Sequence, residues 1–301
     1  MIIQQMVNAI FLGSIFALIA LGYTLVYGII ELINFAHGEL FTSGAYIGVI
    51  VLGLLSASGF AESHFYLTLL IVFALAMTYT AVLGVTVEHV AYRPLRNAPR
   101  ISALLSALGV SLFLSNGMMI SQGVYDRAYP PILGTAGLTI FQAKITYGQI
   151  FIVLLAFALM GGLQLFVQGT KLGKAMRATA QNLRMARMLG INIDRTIKTT
   201  FIIGPALGAA AGVMVGLYYG SVRFDMGFIY TIKAFAAAIL GGIGSIPGAM
   251  LGGMILGGVE VLWSSFLPSN WKDVITFVIL ILVLYVRPSG LLGKGATEGR
   301  V

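Results

Sequence analysis

MVNAIFLGSIFALIALGYTLVYGIIELINFAHGEL runs from residue 6 to residue 40. Residues 6–30 contain no Asp, Glu, Lys or Arg, whereas the next ten hold Glu31, Asn34, His37 and Glu39. An uninterrupted apolar run of about 20 residues is long enough to cross about 30 Å of hydrocarbon. A second run begins at once at residue 41, and further runs follow at about 65–88, 101–121, 145–168, 199–220, 234–245, 246–266 and 273–287. The whole chain is 58% hydrophobic and only 9% charged, against about 25% charged for a soluble domain. These observations predict an all-α polytopic membrane protein over residues 1–301, a single domain of about eight to nine transmembrane helices with broken or re-entrant segments. The opening MIIQQMVNAI has no basic region before a long apolar stretch, so it reads as an uncleaved first helix rather than a signal peptide.

Cysteine is absent, and the three histidines stand apart at 37, 64 and 89. Disulfides and thiolate metal sites are excluded, and no helical histidine pair is offered to a metal. The net charge of +8 reports cytoplasmic loops in a membrane chain rather than nucleic-acid binding. Arg93, Arg96 and Arg100 form one cluster. Lys171, Lys174, Arg177, Arg184, Arg187, Arg195 and Lys198 form a second, and Arg287, Lys294 and Arg300 a third. Alternation can place all three on one side, which the positive-inside rule makes cytoplasmic. The N-terminus and the loop 122–144 then lie outside. The short run 234–245 must count as a crossing, and a broken one.

Glycines repeat every four residues at 204, 208, 212, 216 and 220, and again at 244, 248 and 252, with Gly253 and Gly257 adding a further pair. Such stripes let helix backbones approach closely in lipid. The loop 169–198 carries seven basic residues and one acid, Asp194. Its residues 174–189 are good helix formers, and Gly190 is a stop signal. Ala178, Ala180 and Ala186 give this helix a small-residue surface suited to docking on a soluble partner; the other reading is a helix lying on anionic headgroups. GTKLGKA at 169–175 is not a phosphate-cradling loop: three residues rather than four separate its glycines, and Ala175 follows the lysine. No nucleotide site is encoded, so an ATPase, if one powers transport, is another polypeptide.

KAFAAAILGGIGSIPGA at 233–249 joins a short apolar run to a glycine-marked break. Shortened or glycine-interrupted segments point to a midplane site, with Gly241, Gly242, Gly244 and the hydroxyl of Ser245 as candidate path residues. ELINFAHGEL has two readings. One is a solvated turn; the other is a re-entrant break lining a translocation path, because ionisable groups at membrane depth are functional by default. On the second reading Glu31 or Glu39 faces an ammonium group, Asn34 and His37 hold the break or touch the solute, and Gly38 supplies a conformation costly for other residues. Glu260 should face protein, while Glu88 and His89 read as solvated at a helix end.

INFAHGE at 33–39, RATAQN at 177–182, GIN at 190–192, the 233–249 segment, WKD at 271–273 and RPSGLLG at 287–293 resemble the permease subunits of branched-chain amino acid ABC importers, and NFAHGE resembles the LivH-type subunit in particular. The resemblance implies a heterodimer with a homologous LivM-type permease in a bacterial inner membrane. It also implies two cytoplasmic ATPase subunits that hold ATP and Mg, with no cofactor on this chain, and a periplasmic amino-acid-binding protein. A coupling helix maps onto about Lys174–Gly190, with Arg177, Ala178, Gln181, Asn182, Ala186 and Gly190 as candidate contacts. The usual glutamate-alanine-alanine opening is replaced by ATA at 178–180. The other functional reading is a secondary carrier or channel for small polar solutes, which would need no partner helix and no ATP; an intramembrane enzyme lacks any catalytic set within the helices.

Overall fold

The computed structural model describes residues 2–30, 34–96, 98–133, 136–140 and 143–293 of the 301. The helices in chain order are α1 (Ile2–Ile30), α2 (His37–Ala57), the single turn α3 (Phe60–Ser63), α4 (Phe65–Val87), α5 (Arg100–Gln122), α6 (Tyr147–Gly169), α7 (Lys171–Gln181), α8 (Leu183–Met188), α9 (Ile193–Tyr219), α10 (Met226–Gly241), α11 (Ile246–Phe266) and α12 (Lys272–Val286). A π-helical turn, Glu88–Tyr92, continues α4. Among the described residues seven helices are long and apolar enough to cross a membrane, and the 16-residue α10 is a shorter apolar helix. Each of the nine apolar runs contains a helix. The run expected at 234–245 begins earlier, at Met226, because Phe228, Ile229 and Tyr230 extend its apolar character past Lys233.

α1 forms the axis of the molecule. Its residues Phe11–Val26 are all buried, and at about 1.5 Å per residue its 29 residues run about 43 Å. α11 lies antiparallel to it in close contact: a methyl group added at Gly253 would strike the backbone of Ala17, and one at Gly257 the backbone of Gly13. The stripe on α9 works the same way. Gly204 faces Gly22 and Val26 of α1, Gly208 faces His37, Gly212 meets the Phe41 carbonyl of α2, and Gly216 receives the ring of Tyr129. The periodic glycines are thus contact surfaces between helices, as their spacing predicts. Gly220 is the exception, ending α9 with φ 72°.

Short strands close one end of the bundle. β1 (Arg127–Ala128) pairs antiparallel with β4 (Ser221–Val222), and β2 (Gly137–Ile140) pairs with β3 (Ala143–Thr146). The Lys144 amide donates to Oε1 of Gln4 at 2.8 Å, which places the start of α1 at this end. Tyr129 plugs the same end by donating its hydroxyl to the Ala45 carbonyl at 2.8 Å. Burial raises its pKa, so the phenol stays a donor. At the opposite end Arg96 joins Glu88 and Asp194, tying the 91–100 segment to the 169–198 segment. The two ends therefore divide the loops as the charge distribution predicts. With no native cysteine in the way, a cysteine at Asp126 should react with an impermeant thiol reagent in intact cells and one at Asn182 should not. The reverse pattern would invert the orientation.

Candidate functional site

The break after α1 returns the chain into the bundle. Glu31 lies outside the described residues. Asn34 and His37 are both buried, His37 completely. The His37 ring rests beside Gly22 of α1 and Gly208 of α9; a methyl on Gly22 would come within 2.9 Å of its Cε1. Gly22 precedes the end of α1 by eight residues, about 12 Å along the axis, so α2 starts well inside the span. This is the re-entrant geometry, not the solvated turn. Asn34 is held by Tyr92, whose hydroxyl donates to its Oδ1 at 2.7 Å. The Tyr92 ring packs on Phe201 of α9. Neither ring nitrogen of His37 meets a hydrogen-bond partner, although the Ile19 carbonyl lies toward the ring. Its ring stands edge-on to Tyr23, 5.8 Å between centroids.

Glu39 points elsewhere. Two residues on, it sits about 200° around the helix from His37 and accepts from Ser111 of α5 at 3.3 Å. Its other oxygen has no partner. Gly38 has ordinary helical backbone rather than the strained conformation expected of it: its φ is not positive. Its lack of a side chain serves contact instead, since a methyl there would collide with the Gly227 carbonyl and Thr231 of α10.

The glycine turn after α10 forms as the sequence predicts, and it lies beside the last turn of α1. Gly242 (φ 106°) and Gly244 (φ 85°) adopt left-handed backbone, which side chains resist. Ser245 caps α11 by accepting from the Gly248 amide at 3.2 Å. Gly241 abuts Gly248, and Gly244 faces Gly28, two residues from the end of α1. The RPSGLLG segment covers this turn: the amides of Leu291 and Leu292 donate to the carbonyls of Leu240 and Gly241, each at 2.9 Å.

One cluster escaped sequence reasoning. Lys233 of α10 pairs with Glu260 of α11 at 2.7 Å and with Asp273 at the start of α12 at 2.9 Å; Lys272 approaches Glu260 at 3.4 Å. Lys233 and Glu260 are almost fully buried. The Lys233 ammonium stands 5.5 Å from the ring centre of Phe16, the middle residue of α1. Glu260 does face protein, as expected, but its counter-ion was not identified. Glu88 corrects the expectation of a solvated carboxylate: it is buried and paired with Arg96.

The basic segment after α6 is two helices, α7 and α8, not the continuous helix expected over 174–189. Asn182 breaks it with extended backbone, φ −158°, and caps α8 by accepting from the Met185 amide at 3.0 Å. Gly190 ends it with φ 80°, as the sequence indicates. Arg177, Gln181 and Asn182 are exposed and Ala178 is half-buried. Ala186 is buried and packs inward, so it is not part of a small-residue docking face. α7 turns its Gly173, Met176 and Thr179 inward as well, with Gly173 against Phe166 and Val167. What α8 presents outward is Met185, Met188 and Leu189, the last two about 80% exposed, beside Arg184 and Arg187.

The family described as "Branched-chain amino acid transport system / permease component" matches residues 5–284. The chain is 46% identical to the high-affinity branched-chain amino acid transport system permease protein BraD of Pseudomonas aeruginosa, over 98% of this chain and 97% of that one. It is 45% identical to LivH of Escherichia coli K12, with the same coverage. It is 30% identical to a probable LivH of Methanocaldococcus jannaschii, over 95% and 91% of the two chains. The chain is a multi-pass membrane protein, and it belongs to the family of branched-chain amino acid transport system permease components.

Proposed function

We propose that this chain is one of two homologous permeases in an ATP-driven importer that carries leucine, isoleucine, valine or a related amino acid across a bacterial inner membrane. The observation that carries the reading is near-full-length similarity to transport permeases combined with an outward apolar surface on α8 at the cytoplasmic end. Met185, Met188 and Leu189 exposed together suit the cleft of a soluble ATPase. The inward residues of α7, Gly173, Met176 and Thr179, are already packed, so α8 is the part of the segment left to meet a partner. ATP hydrolysis belongs to two separate subunits, and a periplasmic binding protein delivers the solute.

The packing supports a path shared with a second permease. α1 meets α9 and α11 backbone to backbone at glycines, which leaves no room for a solute between them. A path therefore runs along a face of this subunit. Asn34 and His37 brace the break at the start of α2, with Gly38 admitting α10. Gly241, Gly242, Gly244 and Ser245 shape the cytoplasmic mouth. Glu39, with one oxygen free, is the candidate for the ammonium group of the solute.

Met188→Asp/Leu189→Asp should lower ATP-dependent uptake at least tenfold, on the scale of losing one interface hot spot of about 2 kcal/mol, while the permease still reaches the membrane. A bulky residue at the half-buried Ala178 should act in the same direction. Uptake and substrate-stimulated ATP hydrolysis at parental levels in both variants would argue for headgroup binding instead.

A further inference from the structure

We propose that the cleft between the cytoplasmic ends of α4 and α9 seats the phosphate of an anionic phospholipid from the inner leaflet. The cleft has a volume of about 530 Å³ and is lined by Arg93, Arg96, Arg195 and Lys198, with Glu88 and Asp194 as its carboxylates. Arg96 engages both carboxylates at once. Arg93 stands 3.9 Å from Asp194, and both side chains are at least half exposed. Arg195 and Lys198 are exposed and make no ion pair among the described residues. Four cations against two acids leave an excess of two positive charges, at the first turns of α9, whose dipole adds positive potential.

Apolar side chains border the cleft as well. Val85 and Val90 line it, and Val90 and Val82 are both more than 60% exposed on the outer side of α4. One site therefore joins a basic pocket to neighbouring valines, of which Val85 and Val82 lie progressively farther up α4 from the turn that carries Glu88. That combination fits a lipid better than a free phosphate, and basic pockets between spans on the cytoplasmic side are suited to such headgroups. The assignment rests on the cytoplasmic orientation of this end but not on the transported solute, so it stands or falls independently of uptake.

The test is retention of lipid by the purified full-length chain in detergent, followed by native mass spectrometry after titration with dioleoyl phosphatidylglycerol or dioleoyl phosphatidylcholine. The expected result is preferential retention of phosphatidylglycerol, cut about tenfold by Arg195→Gln/Lys198→Gln and reduced by Val82→Asp. Equal retention of both lipids, unchanged by the double variant, would overturn the proposal. Displacement by millimolar inorganic phosphate with no effect of Val82→Asp would reassign the cleft to a free anion. Loss of ATPase association in the double variant, with phosphatidylglycerol retention intact, would reassign it to protein docking.

Discussion

Lys233→Met should be the most damaging single change of charge in the protein. It leaves the buried Glu260 with only the half-buried Lys272 at 3.4 Å and removes the partner of Asp273. Removing one member of a buried ion pair typically costs about 3–5 kcal/mol, because the other charge is stranded in low dielectric. Replacing both by apolar residues of similar volume is often neutral. Lys233→Met should therefore sharply lower the unfolding midpoint and the amount of protein in the membrane, and Lys233→Met/Glu260→Met should recover most of the loss. If the double variant were as unstable as the single one, the pair would not be the source of the effect.

Asn34→Ala and His37→Ala act on the break itself. Asn34→Ala strands the buried Tyr92 hydroxyl, and an unsatisfied buried polar group costs about 1–3 kcal/mol, or roughly 5- to 150-fold in an equilibrium. His37→Ala empties the space between Gly22 and Gly208 and removes the edge contact to Tyr23. Both variants should cut uptake at least tenfold, with assembly and basal ATP hydrolysis near normal. Asn34→Asp, which keeps the acceptor for Tyr92, should retain more activity than Asn34→Ala. Parental uptake within twofold for both alanine variants would reduce the segment to a passive turn.

The helices were legible because apolar length and glycine period are local properties. The run 199–220 and its stripe at 204, 208, 212 and 216 describe α9 and its contact face without any knowledge of the partners. The partners themselves were not legible. Tyr92 reaches Asn34 across 58 residues, and it does so from the π-turn at Glu88–Tyr92. Asp194 meets Arg96 across 98 residues. The break at Asn182 did carry a signal: asparagine ahead of Leu183–Met188 is a preferred N-cap, but the strong helix formers on both sides outweighed it. Lys233 and Glu260 carried one too. Gly241 faces Gly248 and Ala237 faces Gly252; the next step up this hairpin opposes Lys233 to Leu256, one turn short of Glu260. A lysine and a glutamate on facing helical stripes in an otherwise uncharged hairpin are a readable pair once the turn is placed.

This permease should move its solute only when ATP is hydrolysed by separate subunits docked at α8. The direct measurement is uptake of radiolabelled leucine into liposomes holding the complete complex, with the binding protein outside and ATP inside. Uptake should require ATP and stop when the ATPase subunits are replaced by hydrolysis-deficient variants, whereas leucine accumulation of equal rate and extent without ATP would contradict it and mark the chain as a carrier or channel.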